Sequence, residues 1–122
     1  MKMILVAGPL RGGTGDDPKL IHANMEAMTT VALDLYRRGH LPVLGEWFSL
    51  PLIEAAGSKK IGDDIYNEIQ HPIAEKILTK CDGCLRIGGA SSGADHMVAT
   101  TRALNKPVWF DIDEIPPPES DE

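Results

Sequence analysis

Two glycine-interrupted junctions carry the residues of this chain best suited to chemistry. In one, the apolar run Cys84-Leu85-Arg86-Ile87 stops at Gly88 and Gly89, and Ala90-Ser91-Ser92-Gly93-Ala94 follows before a pattern of helical period begins. A strand, a tight loop and a helix start are the reading. Such a junction gathers backbone N–H groups, hydroxyls and the positive end of a helix at one point, which suits a phosphate or a sugar hydroxyl. The other junction, Ala7-Gly8-Pro9-Leu10-Arg11-Gly12-Gly13, follows the first apolar run. Arg11 supplies its positive charge, and a planar guanidinium suits bidentate contact with phosphate or carboxylate. Neither loop is a dinucleotide fingerprint or a P-loop: there is no GxGxxG and no lysine before Ser/Thr. Asp95 and His96 open the helix after the second loop. His71, Glu75 and Trp47 are further candidates, the first two as acid or base and the indole as a cover for a flat ring.

These residues need elements to position them. Residues 2–7 read as a buried parallel strand. Asp17 and Pro18 are a good cap and first residue for a helix over 18–38, with Arg37 and Arg38 in its last turn and Gly39 after it. His40–Leu44 reads as a second strand, with Pro42 pointing to an edge. Residues 45–62 carry little pattern: Glu46-Trp47-Phe48 reads as an aromatic loop and Leu50–Ala56 as a short helix. Ile65, Ile69, Ile73 and Ile77 place a helix over 63–80, with a kink or break expected near His71 because Pro72 removes a hydrogen bond there. Strands over 82–87 and 108–111 flank a helix over 93–104. The alternation predicts a doubly wound, flavodoxin- or Rossmann-like α/β fold, a three-layer sandwich on a parallel sheet of four to five strands. Ligands in such sheets bind at the carboxyl ends of the strands, where both glycine loops fall.

Composition bounds the function. A chain of 122 residues makes one domain, placed at 1–112, with an acidic Pro-rich tail over 113–122. The net charge is −6, yet residues 1–110 carry 12 acids and 12 bases, so all the excess lies in residues 111–122. A neutral body argues against nucleic-acid binding. No apolar run approaches a membrane span, and the short apolar N-terminus reads as a strand rather than a signal peptide, so the expectation is a cytoplasmic protein. The pair Cys81-Asp82-Gly83-Cys84 leads into a strand, where residues i and i+3 lie roughly 10 Å apart. That is beyond disulfide reach, and two small buried apolar residues are the reading. No metal and no cofactor are expected.

Taken together, Gly8-Pro9-Leu10-Arg11-Gly12-Gly13, Cys81-Asp82, Ser91-x-Gly93 and Asn105-Lys106-Pro107-Val108 carry a resemblance over roughly residues 2–111. The chain resembles the nucleoside 2-deoxyribosyltransferase-like superfamily, which includes the 2′-deoxynucleoside 5′-phosphate N-hydrolases and a branch of small bacterial and phage proteins. The resemblance implies cleavage or exchange of an N-glycosidic bond by an attacking glutamate, helped by a second carboxylate on the preceding helix and by no metal. It implies that Gly8–Gly13 bind base and sugar and that Gly89, Ser91, Ser92 and Gly93 bind the 5′ end. It also implies a homodimer or larger homo-oligomer acting on a nucleoside or nucleotide.

Two positions depart from that pattern. The attacking glutamate lies four residues after the loop glycine, which here is Met97. The second acid lies eight residues before the strand-opening aspartate, which here is Ala74. Three explanations follow. The chemistry has moved to Asp95, His71 or Glu75, although Asp95 and Met97 differ by about 200° on a helix. Or the protein binds a nucleotide or sugar-nucleotide without cleaving it, as a sensing module. Or Asp63 or Asp64 supplies the acid.

Overall fold

The computed structural model describes residues 1–118. Strand β1 (Met3–Ala7) leads to helix α1 (Pro18–Arg37), β2 (Leu41–Val43), α2 (Gly45–Ala55), α3 (Asp64–Leu78), β3 (Gly83–Arg86), α4 (Ser92–Ala103) and β4 (Val108–Trp109), followed by a 3-10 turn at Ile112–Glu114. The four strands are all parallel, in the order β2-β1-β3-β4. The two central strands, β1 and β3, are short runs buried on both faces, as the middle of a parallel sheet between helices requires, while the edge strands β2 and β4 are more open. On one face Ile4, Val6 and Leu85 pack against Met28, Ala32 and Leu35 of α1 and against Ile115. On the other, Leu5, Ala7 and Cys84 pack against Ala74 and Leu78 of α3 and Ala94 and Met97 of α4. Helices therefore cover both faces, and the doubly wound sandwich is the fold.

Local chemistry explains most element ends. The Asp17 carboxylate accepts from the Lys19 N–H and Pro18 starts α1. Asp63 caps α3, accepting from the Tyr66 N–H at 2.9 Å, and this bond with the Ser58 hydroxyl and the Lys59 N–H holds its carboxyl down at about 2. Ser91 caps α4, accepting from the Ala94 N–H at 3.1 Å.

Two expectations are corrected. The segment expected to hold a loop through Trp47 and Phe48 is helical from Gly45. Of the kink or break expected near His71, the break does not occur: α3 runs continuously through Pro72. Pro72 and Glu68, whose carbonyl loses its donor, both lie on the exposed side of α3, where water replaces the lost bond. After β4 the chain returns across the end of α1. Arg38 pairs with Asp113 at 2.8 Å, Ile115 is buried, and the His40 ring bonds the Pro116 carbonyl at 2.9 Å. Residues 119–122, the end of the acidic tail, lie outside the described residues. Cys81 and Cys84 are free and buried, and burial pushes both thiols up to about 11. Among the described residues no helix is long and apolar enough to cross a membrane.

Candidate functional site

The sheet order reverses between β1 and β3, because β1 connects toward β2 and β3 connects toward β4. Their following loops diverge and leave a crevice at the carboxyl edge, where α/β sheets bind ligands. A cavity of about 180 Å³ occupies it. This is below the 300–1,000 Å³ typical of drug-sized ligands, so it holds about one ring system, with the rest of a ligand passing out through the mouth.

Its walls come from five segments. The first loop gives Gly8, Leu10, Arg11 and Gly12; α2 gives Gly45 and Glu46; α3 gives Tyr66, Asn67, Gln70, His71 and Ala74. The start of α4 gives Ser91, Ser92, Gly93, Ala94 and Met97, and β1 forms the floor. The two glycine loops touch each other as well as the cavity. A Cβ on Gly12 would lie 2.7 Å from the Ala90 carbonyl oxygen, and one on Gly88 would lie 2.7 Å from Pro9 Cδ. Gly88 also turns the chain at φ 75°, a conformation that favours glycine. Leu10 is tied down through its carbonyl, which accepts from Asn24 at 2.9 Å.

Arg11 stands at the mouth. Its guanidinium lies 5.9 Å from the centre of the Tyr66 ring, and its Nε donates to Asp16 at 3.2 Å. Across the cavity, α4 presents the first-turn N–H groups of Ser92 and Gly93, which have no partner within the helix, while that of Ala94 is capped by Ser91. The positive end of the helix adds to the cation. His71 lies edge-on to the His96 ring at 5.4 Å between centres. It also lies over the first turn of α4, where a Cβ on Gly93 would be 3.5 Å from its Cε1.

Several sequence candidates lie elsewhere. Asp95 does not line the cavity; it is bonded by Arg86, at 3.3 Å from Nε and 3.2 Å from the terminal nitrogen. Glu75 is also outside and bonds His96 Nε2 at 2.7 Å. Trp47 lies on the outer surface of α2. Pro9, Gly13 and Gly89 are in the two loops but not in the lining. Asp63 is used as a helix cap, and Asp64 lies outside the lining. Ala74 and Met97 both line the cavity and bring only apolar surface to it.

Of the lining residues that were not foreseen, one carries an acid. Glu46, in the first turn of α2, is 8% exposed, and burial pushes its carboxyl above the usual carboxylate range. Ionising a raised acid costs folding stability. Its contribution is full below the ordinary glutamate range and is lost as pH rises through the folded value. Gln70 donates to the Glu46 carboxylate and accepts from the fully buried Ser49 hydroxyl. The signal was positional: Glu46 follows β2 as the two glycine loops follow β1 and β3, so all three share one sheet edge.

The described residues contain no group of three or more His, Cys, Asp or Glu arranged to hold a metal ion. The arrangement offers a cationic mouth, an apolar floor and one buried carboxyl, which fits a molecule with an anionic or hydroxylated end and a flat end. Comparison with known proteins finds no matching family model, no matching curated protein and no matching solved structure.

Proposed function

We propose that this crevice binds a nucleoside or nucleotide and acts at its N-glycosidic bond. One observation carries the reading. Arg11 and the first turn of α4 meet at a cavity whose floor is apolar and large enough for one ring system. A sugar or 5′-phosphate at the mouth and a base on Leu5, Ala74 and Met97 use each wall for what it offers. The second reading is a sensing module that binds without cleaving. It is favoured by Ala74 and Met97, which put no carboxylate where the resemblance places two.

The test is incubation of the pure protein with deoxynucleosides, ribonucleosides and their 5′-monophosphates, following free base by chromatography and binding by calorimetry. Base release supports the enzyme, binding without release supports the sensor, and neither removes both. Arg11→Ala is expected to weaken binding of monophosphates by about 1.5–3 kcal/mol, the worth of a hydrogen bond to a charged group, and to spare nucleosides. Equal loss for both in titration would remove the phosphate role.

We further propose a homodimer formed through α2. Trp47, Phe48 and Leu52 are 41%, 51% and 50% exposed on one side of that helix, an apolar row facing solvent. Pairing there would brace the wall that carries Glu46. Sedimentation at micromolar concentration is expected to give twice the chain mass, and Trp47→Lys to give the monomer. A monomeric parent protein would exclude this interface.

A further inference from the structure

We propose that Glu46 is the acid of this cavity, giving a proton to a ring nitrogen of the base as that base leaves the anomeric carbon of the sugar. The inference rests on the nucleoside reading above and adds the group that would perform the chemistry.

Among the described lining residues Glu46 is the only carboxylic acid. It is more than nine-tenths buried, and none of the ion pairs among the described residues includes it. A buried carboxylate without a cation is costly, so such a group holds its proton to higher pH than it would in water. Its position is nevertheless built. Ser49 donates to Gln70 Oε1, which fixes the amide so that its NH₂ faces Glu46. The backbone N–H of Glu46 and the Gln70 amide both donate to the carboxyl, so the O–H of the protonated acid is left to donate to a ligand. Gly45, beside it, sits against Ala74, where a Cβ on the glycine would be 3.2 Å from the alanine Cβ. This close approach seats the first turn of α2 on α3 and brings Glu46 into the cavity wall.

The charges that face Glu46 are few. Tyr66 of α3 feels both Glu46 and Arg11, and Arg11 and His71 share the cavity. Tyr66 is pushed up to about 12 by burial and by Glu46 itself, so it stays neutral. The lining residues of β1 and α4 carry no titratable side chain.

The step balances with water as co-reactant. The bond from the anomeric carbon to nitrogen breaks, and its electron pair goes to the base, which takes the Glu46 proton. A water oxygen bonds to the anomeric carbon and releases its proton to solvent through the mouth. Solvent then returns a proton to the carboxylate. Nucleoside and water become free base and sugar.

Glu46→Gln keeps the shape and the bond to Gln70 but has no proton to give. Base release would be followed from pH 5 to 8, beside cleavage of a nitrophenyl glycoside of the same sugar, whose phenolate leaves without a proton. The parent protein is expected to lose activity on the nucleoside as pH rises and Glu46 ionises. Glu46→Gln is expected to lower kcat on the nucleoside about 100-fold or more with KM within about twofold, and to cleave the nitrophenyl glycoside near the parent rate. Glu46→Asp, which retains a proton, is expected to regain part of the nucleoside rate, and a thermal melt checks that each variant is folded. Parent-level base release by Glu46→Gln, or equal loss on both substrates, overturns the acid. Calorimetric binding of nucleosides with no base release by the parent protein overturns the acid and leaves the binding reading standing. No binding overturns both.

Discussion

Arg86→Ala is expected to lower the urea midpoint by the equivalent of about 3 kcal/mol and to weaken ligand binding at least tenfold. Arg86 ends β3 and is 9% exposed. Its guanidinium donates to the carbonyl of Ile87, to that of Gly89 at 2.8 Å, and to Asp95. One side chain thus holds both ends of the turn that delivers Ser91, Ser92 and Gly93 to the cavity. Removing it leaves two loop carbonyls without their donor, at about 1 kcal/mol each, and loses the packing of the buried stem. The Asp95 pair adds little, because that carboxylate is 71% exposed and screened by water. Asp95→Asn is therefore expected to cost under about 1 kcal/mol. Equal losses in the two variants would show that the ion pair, and not the carbonyl wrap, holds the turn.

The same arginine shows where sequence reading reached its limit. Arg86 sits inside an apolar run and reads as strand, which it is. Nothing in its spacing shows that it curls back over its own loop and engages Asp95. A continuous apolar run marks a buried strand and a period of 3.6 the apolar face of a helix, so β1, α1, β3 and α4 were legible to within a residue or two, as was the Asp17 cap of α1. Helix α2 was not legible from its start because Leu44, its capping residue, offers no side-chain oxygen, and because Trp47, Phe48, Pro51 and Leu52 face outward. An apolar outer face erases the period. Pro72 misled for a related reason, since a proline costs a helix least where water can take the freed carbonyl.

For the site, the two glycine loops were legible as a pair because strand ends share an address in a parallel sheet. The acids were not, because a one-residue step turns a side chain by about 100° around a helix. Glu75 beside Ala74 and Asp95 near Met97 therefore leave the cavity, while Glu46 enters from an element that had not been read as a helix.

Gly12→Ala is expected to cost about 2 kcal/mol and to reduce ligand affinity at least tenfold, although glycine-to-alanine changes in loops are often neutral or stabilising. Here the new methyl would lie 2.7 Å from a backbone oxygen, that of Ala90, in the other loop. A flexible side chain could swing away; a carbonyl in a turn held by Arg86 cannot, so the two loops must separate and the cavity between them must change shape. Gly89 lies in the same loop as Ala90, and a Cβ there meets nothing within 4 Å. Gly89→Ala is expected to stay within about 0.5 kcal/mol of the parent protein. Thermal melts and nucleotide titration of the two variants separate two roles for these glycines. Loss in Gly12→Ala alone means that the glycines let one loop lie against the other, and that the binding site depends on that contact. Loss in Gly89→Ala instead would mean that the backbone at residue 89 must approach the ligand itself, which would extend the site beyond the cavity walls.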